Sequence, residues 1–258
     1  ARVAVNHVWM RHLGAPLVTT IFEFGRKGNA PDHPQLLDWL ASEMVDNRWS
    51  MKHLHRLICT SAAYRMGSST QNAEAALRVD PDNRFFWRRE PARLESQVVR
   101  DSILALAGTL DTTMGGPPVP EERQAESRRR SLYFWHSDIS RNLFLTTFDE
   151  ASVAECYRRD QSIVPQQALA LSNAALVHDA AAAIAARIAA GSALDDAAFL
   201  DRAFATILLR PPTAAERAKC AAALEQWRAI RKPSAAADPA RVHAVWALLN
   251  HNDFVTLR

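Results

Sequence analysis

The sequence predicts a mostly α fold: a multi-helix orthogonal bundle with a polar, loop-rich middle and at most one short strand or hairpin near 131–136. Three observations carry this. Only 8 Gly and 3 Tyr stand among 258 residues, while Ala, Leu and Arg are plentiful. Apolar residues recur at three- and four-residue spacing along most of the chain, the period of one helix face. One run alone, Ser131-Leu132-Tyr133-Phe134-Trp135, has the aromatic character of a strand. A hydrophobic content of 48% against 23% charged residues is globular composition, not disorder.

The elements follow in order. A first helix over 2–13 places Val5, Val8, Trp9 and Leu13 near one face, and Gly14 suits its stop. Residues 15–33 hold Pro16, Gly25, Gly28 and Pro31 and read as loop. A second helix starts near Asp32–Pro34, with Leu36, Leu37, Leu40 and Met44 as its stripe, and breaks at Asp46-Asn47. Ser50 caps a third, carrying Leu54, Leu57, Ile58 and Ala62. Residues 67–79 are Ser-, Asn- and Ala-rich and are expected to be exposed. A fourth helix is expected over 91–109 with Pro91 in its first turn. Val99, Ile103, Leu106 and Leu110 form one apolar face and Leu94, Val98 and Ala105 a second, so packing on two sides and a buried, arginine-paired Asp101 are expected. The charged run 121–130 reads as a mobile excursion.

Further on, a short helix is expected around 142–149, a turn from Pro165, and a long Ala-rich helix capped by Asn173 and running to about 190. Asp195 opens the next, through Leu209, with Phe199, Ala203, Phe204 and Ile207 inward. Thr213-Ala-Ala-Glu216 is a capping box for a helix to about 231. Lys232–Pro239 reads as a linker before a last helix, 239–250. The whole is expected to be one helical domain, with sub-lobes at 1–150 and 160–258. No window approaches 18 apolar residues without interruption, so no membrane span is expected. The chain begins at Ala1 inside a helical pattern without an initiator Met, and is read as a piece of a longer protein.

Charge narrows the function classes. A net charge of +3 is small for this length and does not suggest nucleic acid. The split of 27 Arg against 4 Lys is sharper, since Arg serves bidentate and partly buried pairing, although a GC-rich genome gives the same excess. The stretch Asp80–Asp101 concentrates five arginines and five acids around Phe85, Phe86 and Trp87, which predicts an ordered Arg–carboxylate network over aromatic packing. His33, Arg56, Arg84, Arg93, Glu95 and Asp101 form the candidate polar centre.

Each candidate has a plainer reading beside it. His33 could act as a general base, but a hydrogen bond that fixes its loop is the commoner role. Glu95 and Asp101 could serve glycoside cleavage, yet six residues apart on a helix they diverge by about 120°, and pairing with Arg is favoured. His55 and Cys59, four apart, are the weak candidate pair for a metal, incomplete without a third ligand. His33 to Asp101 thus offer no complete catalytic set. Arg128-Arg129-Arg130 is the candidate binder of an acidic glycan, though basic triplets usually solvate loops. No G-x-S-x-G, H-x-x-x-H or P-loop occurs. Three cysteines, Cys59, Cys156 and Cys220, allow at most one disulfide. The absence of C-x-x-C-H excludes haem attachment within this chain, and no cofactor is expected in it.

The order of several motifs resembles a known family. They are Asn6-His7-Val8-Trp9; Phe24-Gly25 with Pro31-Asp32-His33-Pro34 and Leu37-Asp38-Trp39-Leu40; Leu54-His55-Arg56-Leu57-Ile58 with Ser61-Ala62-Ala63-Tyr64-Arg65; and Asp80-Pro81-Asp82-Asn83-Arg84 with Trp87-Arg88. Arg93-Leu94-Glu95, Arg100-Asp101, Gly115-Gly116-Pro117, Arg130-Ser131-Leu132-Tyr133 and Val164-Pro165-Gln166-Gln167 continue the series. The chain resembles the planctomycete "PSD-one" domain of unknown function, found C-terminal to cytochrome c-like modules. Residues Glu155–Asp160 depart from that pattern. The resemblance implies a C-terminal module of an extracytoplasmic multidomain protein in which haem belongs to a preceding module. It brings no accepted catalytic residues. The favoured function is an accessory docking or ligand-presenting module, with neighbouring domains of the same polypeptide as partners. A hydrolase-type domain acting on polysaccharide and an electron-transfer partner surface are the alternatives.

Overall fold

In the computed structural model, residues 1–154, 162, 165–191, 194–230 and 238–257 are described, and they are mostly helical. They divide into two compact units, Ala1–Ala92 with Leu257–Arg258, and Arg93–Thr256. That division does not coincide with the sub-lobes expected at 1–150 and 160–258. Cys156, the atypical segment 155–160 and most of the expected linker 232–239 lie outside the described residues.

The first unit is built on α1 (Arg2–Leu13), α2 (Pro34–Asp46) and α3 (Met51–Cys59). Their apolar faces meet as predicted: Val5, Trp9 and Leu13 pack with Leu37, Leu40, Met44, Leu54 and Ile58. Local chemistry sets the ends. Gly14, at φ 85°, closes α1 with its N–H on the Met10 carbonyl. The Ser50 hydroxyl accepts from His53 N and caps α3. A short helix, α4 (Glu74–Val79), lies in the stretch expected to be exposed, and none of its residues is buried. Asn6 was hidden in the sequence among apolar neighbours. It is fully buried, its amide donating to the Val18 carbonyl at 3.0 Å and accepting from Val18 N at 2.8 Å.

The aromatic triplet does not pack as one block. Phe86 meets Trp9 edge-on at 5.2 Å, whereas Phe85 is 70% exposed. What orders this loop is hydrogen bonding. Asp80 accepts the backbone N–H groups of Arg84 and Phe85, both at 2.9 Å, and Asn83 bridges both backbone groups of Arg88. The Asp80-Pro-Asp-Asn-Arg84 motif is thus a self-capping turn.

β1 (Ala92–Arg93) pairs with β2 (Thr256–Leu257), and the division between units passes through both strands. This pairing corrects two expectations. Extended backbone at 92–93 delays α5 to Ser96–Ala107, so Pro91 is not in its first turn. The short strand expected near 131–136 is absent there: Ser131–Tyr133 is a 3-10 turn, and only an isolated bridge joins Phe134 to Val119. The turn's own backbone bonds (Tyr133 N to the Arg130 carbonyl, Phe134 N to the Ser131 carbonyl), the Asp101 carboxylate on Ser131 N and the two bonds with Val119 satisfy those groups without a longer partner strand.

The second unit continues with α6 (Glu121–Gln124), α7 (Leu143–Thr147), α8 (Pro165–Asn173), α9 (Ala175–Ala189), α10 (Asp196–Ile207), α11 (Ala214–Ile230) and α12 (Pro239–Leu249). Its core joins Val99 and Ile103 of α5 to Val177, Ile184, Phe199, Phe204, Val245 and Leu249. Asn173 ends α8 and Ala174 precedes α9, so the expected cap on the long helix is shifted by a residue. The capping box is formed: Glu216 N donates to Thr213 Oγ1 at 3.2 Å and Thr213 N to Glu216 Oε2 at 2.8 Å. Arg187 donates to the carbonyls of Ala105 and Leu106, meeting the C-terminal end of α5 with a positive charge. A Cβ at Gly108, where φ is 74°, would lie 2.7 Å from that guanidinium. Among the described residues no single helix is long and apolar enough to cross a membrane; α8 and α9 pass the length test only together, bent by 59°.

An ion quartet ties α10, α11 and α12: Arg228 and Arg241 share Asp196, and Arg228 also holds Asp238. The Arg228 hydrogen bond, with Arg241 adding to it, pulls the Asp196 carboxyl from 3.8 down to about 2. A depressed folded value means stability that is present above pH 4 and lost as pH falls towards 2. The melting temperature is therefore expected to fall over that interval, and Arg228→Gln should flatten the fall. An unchanged slope in the variant would show that other carboxylates drive it.

Candidate functional site

The six sequence-predicted residues are divided between the two units. His33, Arg56 and Arg84 belong to the first unit, and Arg93, Glu95 and Asp101 to the second. In the first unit His33 Nε2 lies 2.8 Å from the Arg84 carbonyl and its ring meets Phe85 edge-on. Arg84 pairs with Asp32, holding that carboxyl below its ordinary range. These groups fix a loop. Arg56 is exposed on α3. His12 lies between His55 and Cys59, one ring nitrogen towards each.

In the second unit Arg93 enters a polar knot. Its guanidinium donates to Asn252 Oδ1 at 2.9 Å and to the buried Gln167. Gln167 donates to Asp149 and to Ser162, and Asp149 accepts Ser162 N at 2.8 Å and Oγ at 2.7 Å. Asp149 sits at φ 58°, a conformation that costs a non-glycine residue energy and is held here by its hydrogen bonds. The sequence reading missed Asp149, Ser162 and Gln167 as one cluster. Phe148-Asp149, Ser162 and Pro165-Gln166-Gln167 stand apart in the sequence with no spacing that predicts a meeting.

Glu95 and Asp101 come together on a different feature. An open groove of about 590 Å³ runs along α5, lined by Val98, Asp101, Ser102 and Ala105 at helical spacing and by Glu95 at the end. The 120° divergence expected for the two carboxylates fails because Glu95 is the N-cap, at ψ 147°, and not a helical residue. Of the expected second packed face of the helix, Val98 and Ala105 line this groove, and Val98 is 42% exposed. Arg130 and Leu132, from the segment after α6, complete the wall, and Leu132 is 58% exposed.

The adjacent pair Arg100-Asp101 builds that wall. Arg100, only 3% exposed, turns to the other side of the helix. It donates to the Arg129 carbonyl at 3.0 Å, to Ser131 Oγ at 3.2 Å and to the Ser127 carbonyl, with Phe134 under its plane. Burial pushes the Arg100 guanidinium below its ordinary value, and Asp101 opposes the shift. Asp101 accepts Ser131 N at 2.9 Å and Ser131 Oγ at 2.7 Å, and has Arg100 and Arg130 within 3.6 and 3.8 Å. Arginine pairing was expected; the hydroxyl and backbone partners were not.

The charged run 121–130 is likewise anchored. Arg129 lies over the Tyr133 ring at 4.0 Å and donates to the carbonyls of Thr113, Gly115 and Pro117. Gly115 and Gly116, at φ 75° and 90°, supply the left-handed turns this wrap requires. The basic triplet therefore does not present one patch: Arg129 is structural, Arg130 lines the α5 groove, and Arg128 lines a separate cavity with Glu126 and Asp179. Chemically, the α5 groove offers carboxylate, amide, hydroxyl and guanidinium groups over an apolar floor.

No curated protein and no solved structure matches this chain. Residues 1–224, from α1 into α11 and including every residue of the groove, match the model of PSD1, a protein of unknown function (DUF1553), and the chain belongs to that family.

Proposed function

We propose that the chain is an accessory docking module whose α5 groove receives an extended segment of polypeptide from a neighbouring domain. One observation carries the reading. Val98 and Leu132, both exposed apolar groups, line one groove together with Glu95, Asp101 and Arg130, which is the mixed chemistry of a peptide-binding surface. Asp101 is held in place by the Ser131 N–H and hydroxyl, which suits presentation better than proton transfer. An acidic glycan is less well served, because two carboxylates line the groove against one arginine. In this reading the domain works outside the cytoplasm beside a haem-carrying module, as the family resemblance implies, and the haem stays with that module.

Titration calorimetry of the chain against the separately produced neighbouring modules of its full-length protein tests the reading. Saturable binding is expected, weakened about tenfold or more by Val98→Asp or Leu132→Asp with the melting temperature unchanged. Absence of binding, or binding that ignores both substitutions, overturns it.

A second reading has one observation in its favour: two carboxylates line a single open groove, the minimum equipment for glycoside hydrolysis. It requires sugar release from a polysaccharide panel that disappears in Glu95→Gln.

A further inference from the structure

Cys59 is not a solitary thiol. It ends α3, half-buried, with Sγ 3.7 Å from His12 Nδ1. The other nitrogen of the same ring, His12 Nε2, lies 2.7 Å from His55 Nδ1. The three side chains thus form a chain in which the middle imidazole uses one nitrogen on each neighbour. Helical spacing brings His55 and Cys59 to one side of α3, and α1 supplies His12 from 47 residues away.

The hydrogen-bond bookkeeping has a self-consistent solution. If His12 carries its proton on Nε2 and donates it to His55 Nδ1, then His12 Nδ1 holds a lone pair aimed at the thiol. That is the order nucleophile, base, orienting group, with the roles set by which nitrogen faces which partner. The charged and titratable surroundings agree. The groups facing His12 are His55 of α3, Cys59, the Tyr64 ring edge-on at 5.7 Å, and Arg89, which donates to the His12 carbonyl. Burial first, then electrostatic interaction with His55 and Arg89, lower the His12 pKa, which favours the neutral ring from which the relay starts.

We infer that Cys59 is a reactive thiol, activated by His12 as base and His55 as positioning residue, whose chemistry is exchange with small disulfides. As Sγ attacks one sulfur of R–S–S–R′, its proton passes to His12 Nδ1. The S–S bond breaks, Cys59–S–S–R forms, and R′–S⁻ leaves and takes the proton back from His12. One disulfide is consumed and one formed, so no outside oxidant is needed. Exchange needs only a thiolate and an in-line sulfur, with no oxyanion donors, and so asks nothing beyond these three residues.

Cys220 is a built-in control. Burial and the Glu216 charge raise its pKa. The experiment uses 5,5′-dithiobis(2-nitrobenzoate) on full chains that keep one cysteine each. Cys59 alone, in Cys156→Ser/Cys220→Ser, is expected to react about tenfold or more faster at pH 7 than Cys220 alone, and about tenfold or more faster than the same chain carrying His12→Gln. Its rate should level off above the His12 titration, whereas His12→Gln should climb towards an ordinary thiol midpoint of about 8.5. His55→Gln should give an intermediate rate with the midpoint partly shifted. Equal rates and equal pH profiles with and without His12 overturn the assignment, as does a Cys59 that reacts only in denaturant. If His12→Gln loses its circular dichroism, the pH profile of the native single-thiol chain decides: a midpoint below neutrality supports the relay, one in the ordinary thiol range overturns it.

Discussion

Arg100→Met is expected to lower unfolding free energy by about 3–5 kcal/mol, the range for breaking a buried charge from its partners. The guanidinium is almost fully enclosed and spends its donors on two carbonyls and a hydroxyl of the 127–131 segment, with Asp101 at 3.6 Å. Met fills most of the volume over Phe134 but donates nothing, so the carbonyls of Ser127 and Arg129 are left buried and the Asp101 charge loses a neighbour. In a domain of this size the melting temperature should fall by roughly 10 °C. Hydrogen exchange should quicken at the amides of 127–133, the groove wall. A loss under about 1 kcal/mol would mean that the segment repacks, and the anchoring role would be wrong. Asp101→Ala should cost less, about 1–3 kcal/mol, because it removes the acceptor of Ser131 N and Oγ but leaves Arg100 its three oxygen partners. The ordering Arg100 above Asp101 is itself a test, since a simple ion pair would make the two losses similar.

Asn6→Ala in the first unit is expected to cost about 2–4 kcal/mol, from one buried N–H and one buried C=O of Val18 left without partners. Asn6 is 0% exposed, and its two bonds, 3.0 and 2.8 Å, pin the start of the loop after α1 against the helix. Asn6→Asp should be at least as costly. A carboxylate cannot donate to the Val18 carbonyl, and the site encloses it fully. Equilibrium urea unfolding measures both. A neutral result for either substitution would show that water replaces the amide, which a buried site of this kind should not permit.

These two residues mark the limit of what the sequence disclosed. Arg100 was visible as one of five arginines in a 22-residue stretch, but its neighbour Asp101 drew the attention because its helical face looked apolar. Asn6 was visible only as part of Asn-His-Val-Trp, where the apolar residues explained the helix and the amide explained nothing. The helix itself was legible in both cases, because the period of apolar side chains is a property of neighbouring residues. The partners were not, because Val18, Ser127 and Arg129 are reached through turns whose paths no local pattern fixes.

The candidate site shows the same division. Glu95 and Asp101 were both named from the sequence, and both line the groove, yet the geometry assigned to them was wrong. An angle of 100° per residue holds only inside a helix, and the pairing of 92–93 with 256–257 pushes the helix start past Glu95. Likewise Val98 and Ala105 of the second apolar face, read as packed, line the open groove, whereas Leu94 of that face packs against the core. Hydrophobic pattern tells which residues prefer burial and not whether another element arrives to bury them. The basic triplet 128–130 read as one solvated patch and is three separate contacts, because a non-helical backbone points adjacent side chains in different directions.

By itself, then, the sequence determined the mostly helical class, most helix positions, the stops and caps at Gly14, Ser50, Asp195 and Thr213–Glu216, and the family. All of these rest on interactions within about four residues along the chain. Only the tertiary structure decided the split at residue 92, the α5 groove, the knot of Arg93 with Asp149 and Gln167, and the relay from Cys59 through His12 to His55. Each of those joins groups brought together by packing, and packing is governed by total buried area and by which polar groups still need partners, quantities that belong to the folded chain as a whole.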